Sequence, residues 1–95
     1  MSFVLVVRIK AGEGNEARAQ ELMRELAEAS RAEPGCEAYV PCREVDDPRG
    51  FVIFERYRDR AAFEEHGRSE HFQRLAAGEL FALLESRERT FYETL

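Results

Sequence analysis

Two β-rich runs, FVLVVRIK and FVIFERYR, leave few possible folds for this chain of 95 residues. In the first run, every odd position from Phe3 to Ile9 is apolar, whereas the even positions become polar at Arg8. The second run, which starts at Phe51, begins with apolar residues on both sides. The pattern predicts two strands, the first with one face buried along its length and the second covered on both faces at its start.

An amphipathic helix is predicted between these two strands. Apolar residues recur from Ala19 to Leu26 at the spacing i, i+3, i+4 and i+7, which places them on one helix face. Pro34 and Gly35 predict the end of this helix. The next segment, CEAYVPCREV, has the composition of a strand, and Pro41 within it favours an edge position or a bulge.

Two short helices and a last strand are predicted after the second β-rich run. Asp59 is a suitable N-cap, Gly67 predicts the end of the first short helix, and Ser69 can cap the next one. The C-terminal segment, SRERTFYETL, is interpreted as the last strand. The order β-α-β-β-α-α-β over residues 1–95 predicts a single α+β domain of the ferredoxin-like class, with a four-stranded antiparallel sheet and the helices on one face.

The sheet face opposite the helices has no predicted cover, although it would carry Val4, Val6, Val52 and Phe54. An apolar patch on the order of several hundred Å² is unusual on a monomer. Packing against a second copy would bury it, so we predict a homodimer formed by sheet-to-sheet packing. Arg8 either binds an anionic ligand or pairs across that interface, and we favour the pairing.

Composition and charge argue against two classes of partner. The formal net charge is −5 and acidic and basic residues are interleaved, so the basic stripe of a nucleic-acid-binding protein is missing. No apolar run approaches the ~20 residues of a membrane span, and the N-terminus lacks the basic region of a signal peptide. Cys36 and Cys42, on one strand, would lie roughly 20 Å apart and cannot form a disulfide with each other. We expect a cytoplasmic protein with free thiols that binds neither nucleic acid nor membrane.

The only two histidines, His66 and His71, lie in the segment HGRSEHF. On a continuous helix they would point about 140° apart, so they are not the i, i+4 pair of a helical metal site, and we expect no metal. Either histidine can transfer a proton at the mouth of a pocket. Alternatively, His66 stabilises a helix C-terminus and His71 is a partly exposed residue in the first turn of a helix.

Glu55 is a carboxylate in the middle of a strand, on the side that Phe51 and Ile53 assign to the helices. Burial there would raise its pKa unless it is paired. Glu55 is therefore either a base or polar anchor in a cavity between the sheet and the helices, or the partner of an arginine. Tyr39 and Tyr57 leave the same alternatives open, because each is either a hydroxyl for a ligand or a core aromatic residue.

Residues 33–75 combine these features in a pattern that resembles the antibiotic biosynthesis monooxygenase family of dimeric α+β barrel proteins. The shared features are Glu-Pro-Gly-Cys before the second strand, Tyr39 within it, Asp47-Pro48 in the turn, F-x-x-x-E-x-Y-x-D from Phe51 and H-x-x-S-x-H-F from His66. The resemblance implies a protomer whose dimer closes a barrel and which holds ligands between sheet and helices. Activities in the family include cofactor-independent oxidation of quinols and aromatic polyketides, haem breakdown, and processing of a small signalling sugar derivative.

The resemblance also implies positions for the ligand site. Haem-degrading members use an Asn, a Trp and a His at the positions that match Val7, His66 and Ala76. None of these three residues is retained, so we do not expect haem degradation. Polyketide-tailoring members use an Asn, a Trp and a Tyr, and their polar groups are mostly lost at the matching residues Ile53, Tyr57 and Phe63. The greatest similarity is to the quinol-oxidising and signal-sugar-processing members. The positions expected to bind substrate are Val7, Tyr39, Ile53, Tyr57 and Phe63.

These observations predict a small homodimeric monooxygenase that needs neither metal nor flavin and acts on a quinol-like or enediol-like molecule. His66 or Glu55 would remove a hydroxyl proton, with His71 as a further catalytic candidate, and the electron-rich anion would react with dioxygen. One alternative is an isomerase that acts on a small hydroxyketone with the same proton-transfer groups. Another is a dimer that binds a ligand or a partner without catalysis.

Overall fold

The computed structural model describes all residues, 1–95, and contains four strands and four helical segments. The elements in chain order are β1 (Phe3–Ala11), α1 (Glu16–Arg31), β2 (Cys36–Arg43), β3 (Gly50–Tyr57), α2 (Arg60–Arg68), a π-helix (Phe72–Ala77), a 3-10 helix (Leu80–Leu83) and β4 (Leu84–Glu93). The predicted order is confirmed, and the last predicted helix consists of the two irregular segments that precede β4.

The four strands form one antiparallel sheet in the order β2-β3-β1-β4. The two β-rich runs of the sequence become β1 and β3, which are the central strands. In their register, Val7 pairs with Ile53 and Leu5 pairs with Glu55. On the other side of β1, Val7 pairs with Arg89. This is the ferredoxin-like α+β fold, and the register places every odd residue of β1 on the helix side of the sheet.

The core lies between the sheet and the helices. Leu22, Met23 and Leu26 of α1 are fully buried against the odd residues of β1. The spacing predicted from the sequence is thus the buried face of α1, and its opposite face carries the charged residues. Burial of one such aliphatic side chain contributes about 1.5–3 kcal/mol to the hydrophobic stabilisation of the fold.

The loop between α1 and β2 packs closely on the first turn of α2. A Cβ atom added at Gly35 would overlap the Cβ of Ala62. The backbone N–H of Arg58 donates to the carbonyl of Gly35 at 2.8 Å, which holds the end of β3 to the same loop. This loop also carries Glu33, so the glycine allows Glu33 to approach α2.

The break between α2 and the π-helix lies at Ser69. As predicted, Asp59 caps α2 by accepting a hydrogen bond from the N–H of Ala62 at 2.9 Å. The expectation that Gly67 ends the helix is wrong, because α2 continues to Arg68 and the chain becomes extended at Ser69. The Ser69 hydroxyl donates to the carbonyl of His66 at 2.7 Å and accepts from the N–H of Phe72 at 3.2 Å, which satisfies both helix ends.

The sheet face opposite the helices, which we call the open face, is not covered by any helix. Val40, Phe54 and Tyr92 on this face are 43%, 40% and 51% exposed. Val4, which was predicted to need a partner, is already buried within the single chain. The cysteines are both free. None of the helices combines the length and the apolar character that a membrane-spanning helix requires.

Candidate active site

One carboxylate oxygen contacts both histidines of the chain. Oε2 of Glu33 lies 2.8 Å from Nδ1 of His66 and 2.5 Å from Nε2 of His71. An ionised carboxylate can only accept hydrogen bonds, so each ring presents an N–H to it. When His66 is neutral, its single proton is therefore on Nδ1, and Nε2 carries a free lone pair.

The helix break at Ser69 brings the two histidines together. His66 lies in the last turn of α2 and is 2% exposed, whereas His71 lies just before the π-helix and is partly exposed. Their ring centroids are 5.9 Å apart. The two histidines were predicted not to form an i, i+4 pair, but Glu33 was not predicted as a site residue and was noted only within Glu-Pro-Gly-Cys before the second strand. Its position in Glu-Pro-Gly was the available signal.

This cluster has the geometry of a hydrogen-bond network rather than of a preformed metal site. The ligand atoms of Glu33, His66 and His71 all lie within 4.8 Å of one another. However, the two contacts to Glu33 have hydrogen-bond lengths of 2.8 and 2.5 Å. Donor atoms around tetrahedral zinc, at bond lengths of ~2.0–2.1 Å, are separated by about 3.3 Å. The contacts of Glu33 with the two rings are therefore hydrogen bonds.

Glu55 lies on the other side of His66, and its Oε1 is 3.9 Å from Nε2 of that ring. The Tyr57 hydroxyl donates to the same Oε1 at 2.6 Å. Burial raises the pKa of Glu55 to about 7, against the opposing effect of the Tyr57 hydrogen bond. The alternative of a salt bridge with an arginine is not observed, since no guanidinium lies within 4.0 Å of Glu55.

Burial also acts on His66, whose pKa it lowers below 6.5, while the Glu33 carboxylate opposes that change. His66 is therefore neutral near pH 7, with its lone pair directed to the side of Glu55. A neutral imidazole that is oriented by a carboxylate through Nδ1 is a competent general base at Nε2. The two groups, His66 and Glu55, can exchange protons with a molecule bound next to them.

A cavity of about 190 Å³ lies between the sheet and the helices at this point. Its wall is apolar apart from Tyr39, Glu55, His66, Arg87 and Arg89. Of the predicted site residues, it brings together Val7, Tyr39, Ile53, Glu55, Phe63 and His66. The two others, Tyr57 and His71, are not in the wall. Tyr57 donates a hydrogen bond to Glu55, which is in the wall, and His71 is linked to His66 through Glu33.

A more open cleft of about 450 Å³ lies elsewhere, between α1 and the turn that follows β2. It is lined by residues such as Gln20, Arg24 and Glu44 and contains neither histidine nor Glu55. The smaller cavity is therefore the better candidate for a reaction that needs a buried base, because it contains His66 and Glu55.

Arg87 and Arg89 at the cavity mouth were also missed by the sequence analysis. They are on β4, on the side of the sheet that faces the helices, where Arg87 pairs with Ile9 and Arg89 with Val7. Arg8, which the sequence analysis considered for an anionic ligand, lies on the open face and pairs with Glu88 in the strand register. It does not line the cavity.

Comparison with known proteins gives consistent results for sequence and structure. The sequence profile described as antibiotic biosynthesis monooxygenase matches residues 2–78. A relative from Mycobacterium tuberculosis, named "Putative monooxygenase Rv0793", is 41% identical over 68 residues, which cover 65% of this chain and 66% of the relative. That aligned part is just under two thirds of the relative's length.

Two solved structures illustrate the structural likeness. PA3566 from Pseudomonas aeruginosa superposes with a TM-score of 0.91 and 33% identity, covering 99% of this chain and 94% of that one. The structure of Rv0793 superposes with a TM-score of 0.91 and 26% identity, covering all of this chain (100%) and 96% of that one. The likeness of fold thus includes β4, which lies beyond the residues matched by the family profile.

Proposed function

Because this chain belongs to the antibiotic biosynthesis monooxygenase family, we propose that it oxidises a small quinol-like or enediol-like substrate with dioxygen. The observation that carries this proposal is the buried His66 ring. Glu33 holds its proton on Nδ1, and its free Nε2 lies next to Glu55 at the polar side of an apolar cavity. Such a site provides a base and a desolvated space, and the substrate itself supplies the electrons.

The proposed reaction begins when Nε2 of His66 removes a hydroxyl proton from the substrate. The resulting anion is electron-rich and reduces dioxygen, one atom of which bonds to a substrate carbon. The second oxygen atom leaves as water, which takes up two protons from the substrate, one of them by way of His66. A quinol and dioxygen thus give a hydroxyquinone and water, with four electrons passing from the substrate to dioxygen. The apolar wall strengthens the electrostatic interactions within the site by excluding water.

Glu55 would act as the second proton-transfer group. With a pKa of about 7, it is partly protonated at neutral pH. In the protonated form it can donate a hydrogen bond to a substrate oxygen, which would stabilise the developing anion. Tyr57 holds Glu55 in place through its hydroxyl.

Oxygen uptake in the presence of naphthoquinols and anthrones tests this proposal. Uptake by the wild-type protein should exceed the uncatalysed background, and His66→Ala should reduce it at least about 100-fold, the loss expected for a general base. Glu44→Gln, which removes an exposed carboxylate from the other cleft, serves as the control. A flat oxygen trace across the whole substrate panel would count against the oxygenase.

The 3.9 Å separation of His66 Nε2 and Glu55 Oε1 also suits a second activity. An isomerase acting on a small hydroxyketone needs one group to remove a proton and another to return it. That reaction consumes no oxygen, so turnover that persists under anaerobic conditions would favour it. A protein that only binds its ligand would show turnover under neither condition.

We also propose that the protein functions as a homodimer that packs the open face of one copy against that of another. The support is the group of exposed apolar side chains on that face, which includes Val40, Phe54 and Tyr92. Sheet-to-sheet packing would remove them from water and close a barrel of two sheets. The free thiols Cys36 and Cys42 fit the reducing conditions of the cytoplasm, where we propose that the protein acts.

A further inference from the structure

Arg87 and Arg89 place two positive charges along one side of the catalytic cavity. Both line its wall, together with Glu55 and His66. Strand β1 separates β4 from β3, so the backbones that carry the arginines and Glu55 are about 10 Å apart. The cavity therefore has a cationic side, an apolar middle and a proton-transfer side.

Neither arginine forms an ion pair with a carboxylate, although the charge of Arg89, against the larger effect of burial, lowers the pKa of Glu55 from across the cavity. Six other arginines form ion pairs in this chain, and they are Arg18, Arg49, Arg56, Arg58, Arg60 and Arg74. By contrast, no carboxylate oxygen lies within 4.0 Å of Arg87 or Arg89, although Glu55 lines the same cavity. Like charges on alternate residues of one strand repel each other when no anion lies between them.

Aromatic rings orient both guanidinium groups. Cζ of Arg87 lies 3.8 Å from the ring centroid of Phe81, which itself lines the cavity. Cζ of Arg89 lies 5.4 Å from the ring centroid of Phe91. A guanidinium that stacks on a ring keeps its N–H groups free for a planar or tetrahedral anion. Both arginines remain exposed to solvent at the cavity mouth, and partial burial together with the charge of Arg89 lowers the pKa of Arg87.

From this geometry, we propose that Arg87 and Arg89 form an anion-binding subsite, and that the substrate carries a carboxylate or phosphate group remote from its reacting hydroxyl. This inference rests on the proposed function, because it assigns an end of the substrate to each side of the cavity. A bound anion would relieve the repulsion between the arginines and would direct the hydroxyl of the substrate towards His66.

Binding of three monohydroxy probes with oxygen excluded tests the subsite without oxidative turnover. The probes share a hydroxynaphthalene body and are 1-naphthol, 5-hydroxy-1-naphthoate and 5-hydroxy-1-naphthyl phosphate. In calorimetric titrations, the wild-type protein should bind one of the anions at least tenfold more tightly than 1-naphthol. Comparison of the two anions then decides between carboxylate and phosphate.

Variants connect this preference to the two arginines. Arg87→Gln/Arg89→Gln should lose the preference and keep its affinity for 1-naphthol within about twofold. Arg87→Lys/Arg89→Lys should retain part of it, since lysine keeps the charge but not the planar pair of donors. Arg24→Gln/Arg43→Gln is the matched control, because it removes the same charge at the other cleft. Melting curves establish that the variants are folded.

Equal affinity for the three probes, or no binding of either anion up to millimolar concentration, would overturn the subsite. So would a control double variant that loses the preference as fully as the cavity variant. These outcomes are independent of oxygen uptake. An arginine-dependent preference with a flat oxygen trace would retain the subsite and reject the oxygenase, whereas oxygen uptake without any anion preference would do the reverse.

Discussion

Glu33 decides which nitrogen of His66 can act as a base, although it does not line the cavity. In the proposed mechanism it is a positioning residue, because its carboxylate holds the proton on Nδ1 and leaves Nε2 free. Replacing the hydrogen-bond partner that orients a metal-bound histidine typically changes activity by about 10–100-fold, and we expect an effect of the same order for Glu33. The same oxygen orients His71, so one side chain determines the positions of both rings.

Glu33→Gln should therefore lower kcat about 10–100-fold with little change in KM. It should also lower the pKa of His66 further, because the carboxylate of Glu33 raises that pKa against the effect of burial. The pKa of the His66 ring can be measured by NMR, and a merely structural role of Glu33 would leave this pKa unchanged in the variant. Glu70→Gln, at an exposed carboxylate next to His71, should change neither quantity.

Glu55 predicts a dependence of stability on pH. Its pKa rises from 4.5 to about 7 on folding, so the folded state holds this proton more tightly than the unfolded state does. Stability from this group is complete below pH 4.5 and is lost as the pH rises through about 7. Its loss at about pH 8 is on the order of 3 kcal/mol.

Glu55→Gln should remove that loss, since a glutamine does not ionise and can still accept from Tyr57. The variant should be more stable than the wild type at about pH 8, and the difference should vanish towards pH 4.5. Urea denaturation at a series of pH values measures the difference in the free energy of unfolding. A difference that is independent of pH would show that Glu55 is already ionised in the folded state near neutral pH.

At the scale of single residues, the sequence was informative where a residue breaks a regular pattern. Glu55 was identified because a carboxylate in the middle of an apolar strand face is unusual. Glu33 was missed because it lies in a loop, where no periodicity shows its direction, and its partners are 33 and 38 residues away. Arg87 and Arg89 were missed because charged residues occupy both odd and even positions from Glu85 to Arg89, so alternation does not reveal which side faces the cavity.

At the scale of elements, the π-helix and the turn that follows it depend on Gly78. The N–H of Gly78 donates to the carbonyl of Gln73 at 2.9 Å, a bond that spans five residues and ends the π-helix. A Cβ atom at this position would lie 2.5 Å from the carbonyl oxygen of Arg74. Gly67, in α2, has no atom within 4 Å of such a Cβ.

The two glycines should therefore respond in opposite directions to the same change. Gly67→Ala should stabilise the protein by about 0.5–1 kcal/mol, since alanine loses less backbone entropy in a helix. Gly78→Ala should destabilise it by about 1–3 kcal/mol, because the backbone of the π-helix must move. Thermal unfolding of the two variants provides the comparison, and a stabilised Gly78→Ala would contradict the proposed packing.

The order of the elements was predictable, but the geometry of the segment between α2 and β4 was not. Strand alternation and helical spacing are set by local burial, so β1, β3 and α1 follow from the sequence directly. A π-helix shares its apolar residue types with an α-helix over one or two turns, so composition does not distinguish them. The position of Ser69, where α2 ends, was recognised as a cap without the consequence that the two histidines converge.

For the whole molecule, the proposed dimer can be separated from the fold of the protomer. Phe54→Asp places a charge on the open face and should convert the dimer to a folded monomer, as measured by light scattering at micromolar concentration. Val45→Asp is the control, because Val45 is 98% exposed in a turn outside the sheet. A wild-type protein that is monomeric at this concentration would refute the proposed assembly.

Gly35 shows that the geometry of the proposed active site also depends on a residue outside it. The contact between Glu33 and His66 joins the α1–β2 loop to α2, and the loop can approach α2 this closely because residue 35 has no side chain. One methyl group there would act as a wedge, moving the Glu33 carboxylate away from His66 without altering any group that touches a substrate. The proposed activity could thus be lost, or adjusted in small steps during evolution, by changing the size of the side chain at position 35, which sets the distance between the loop and α2.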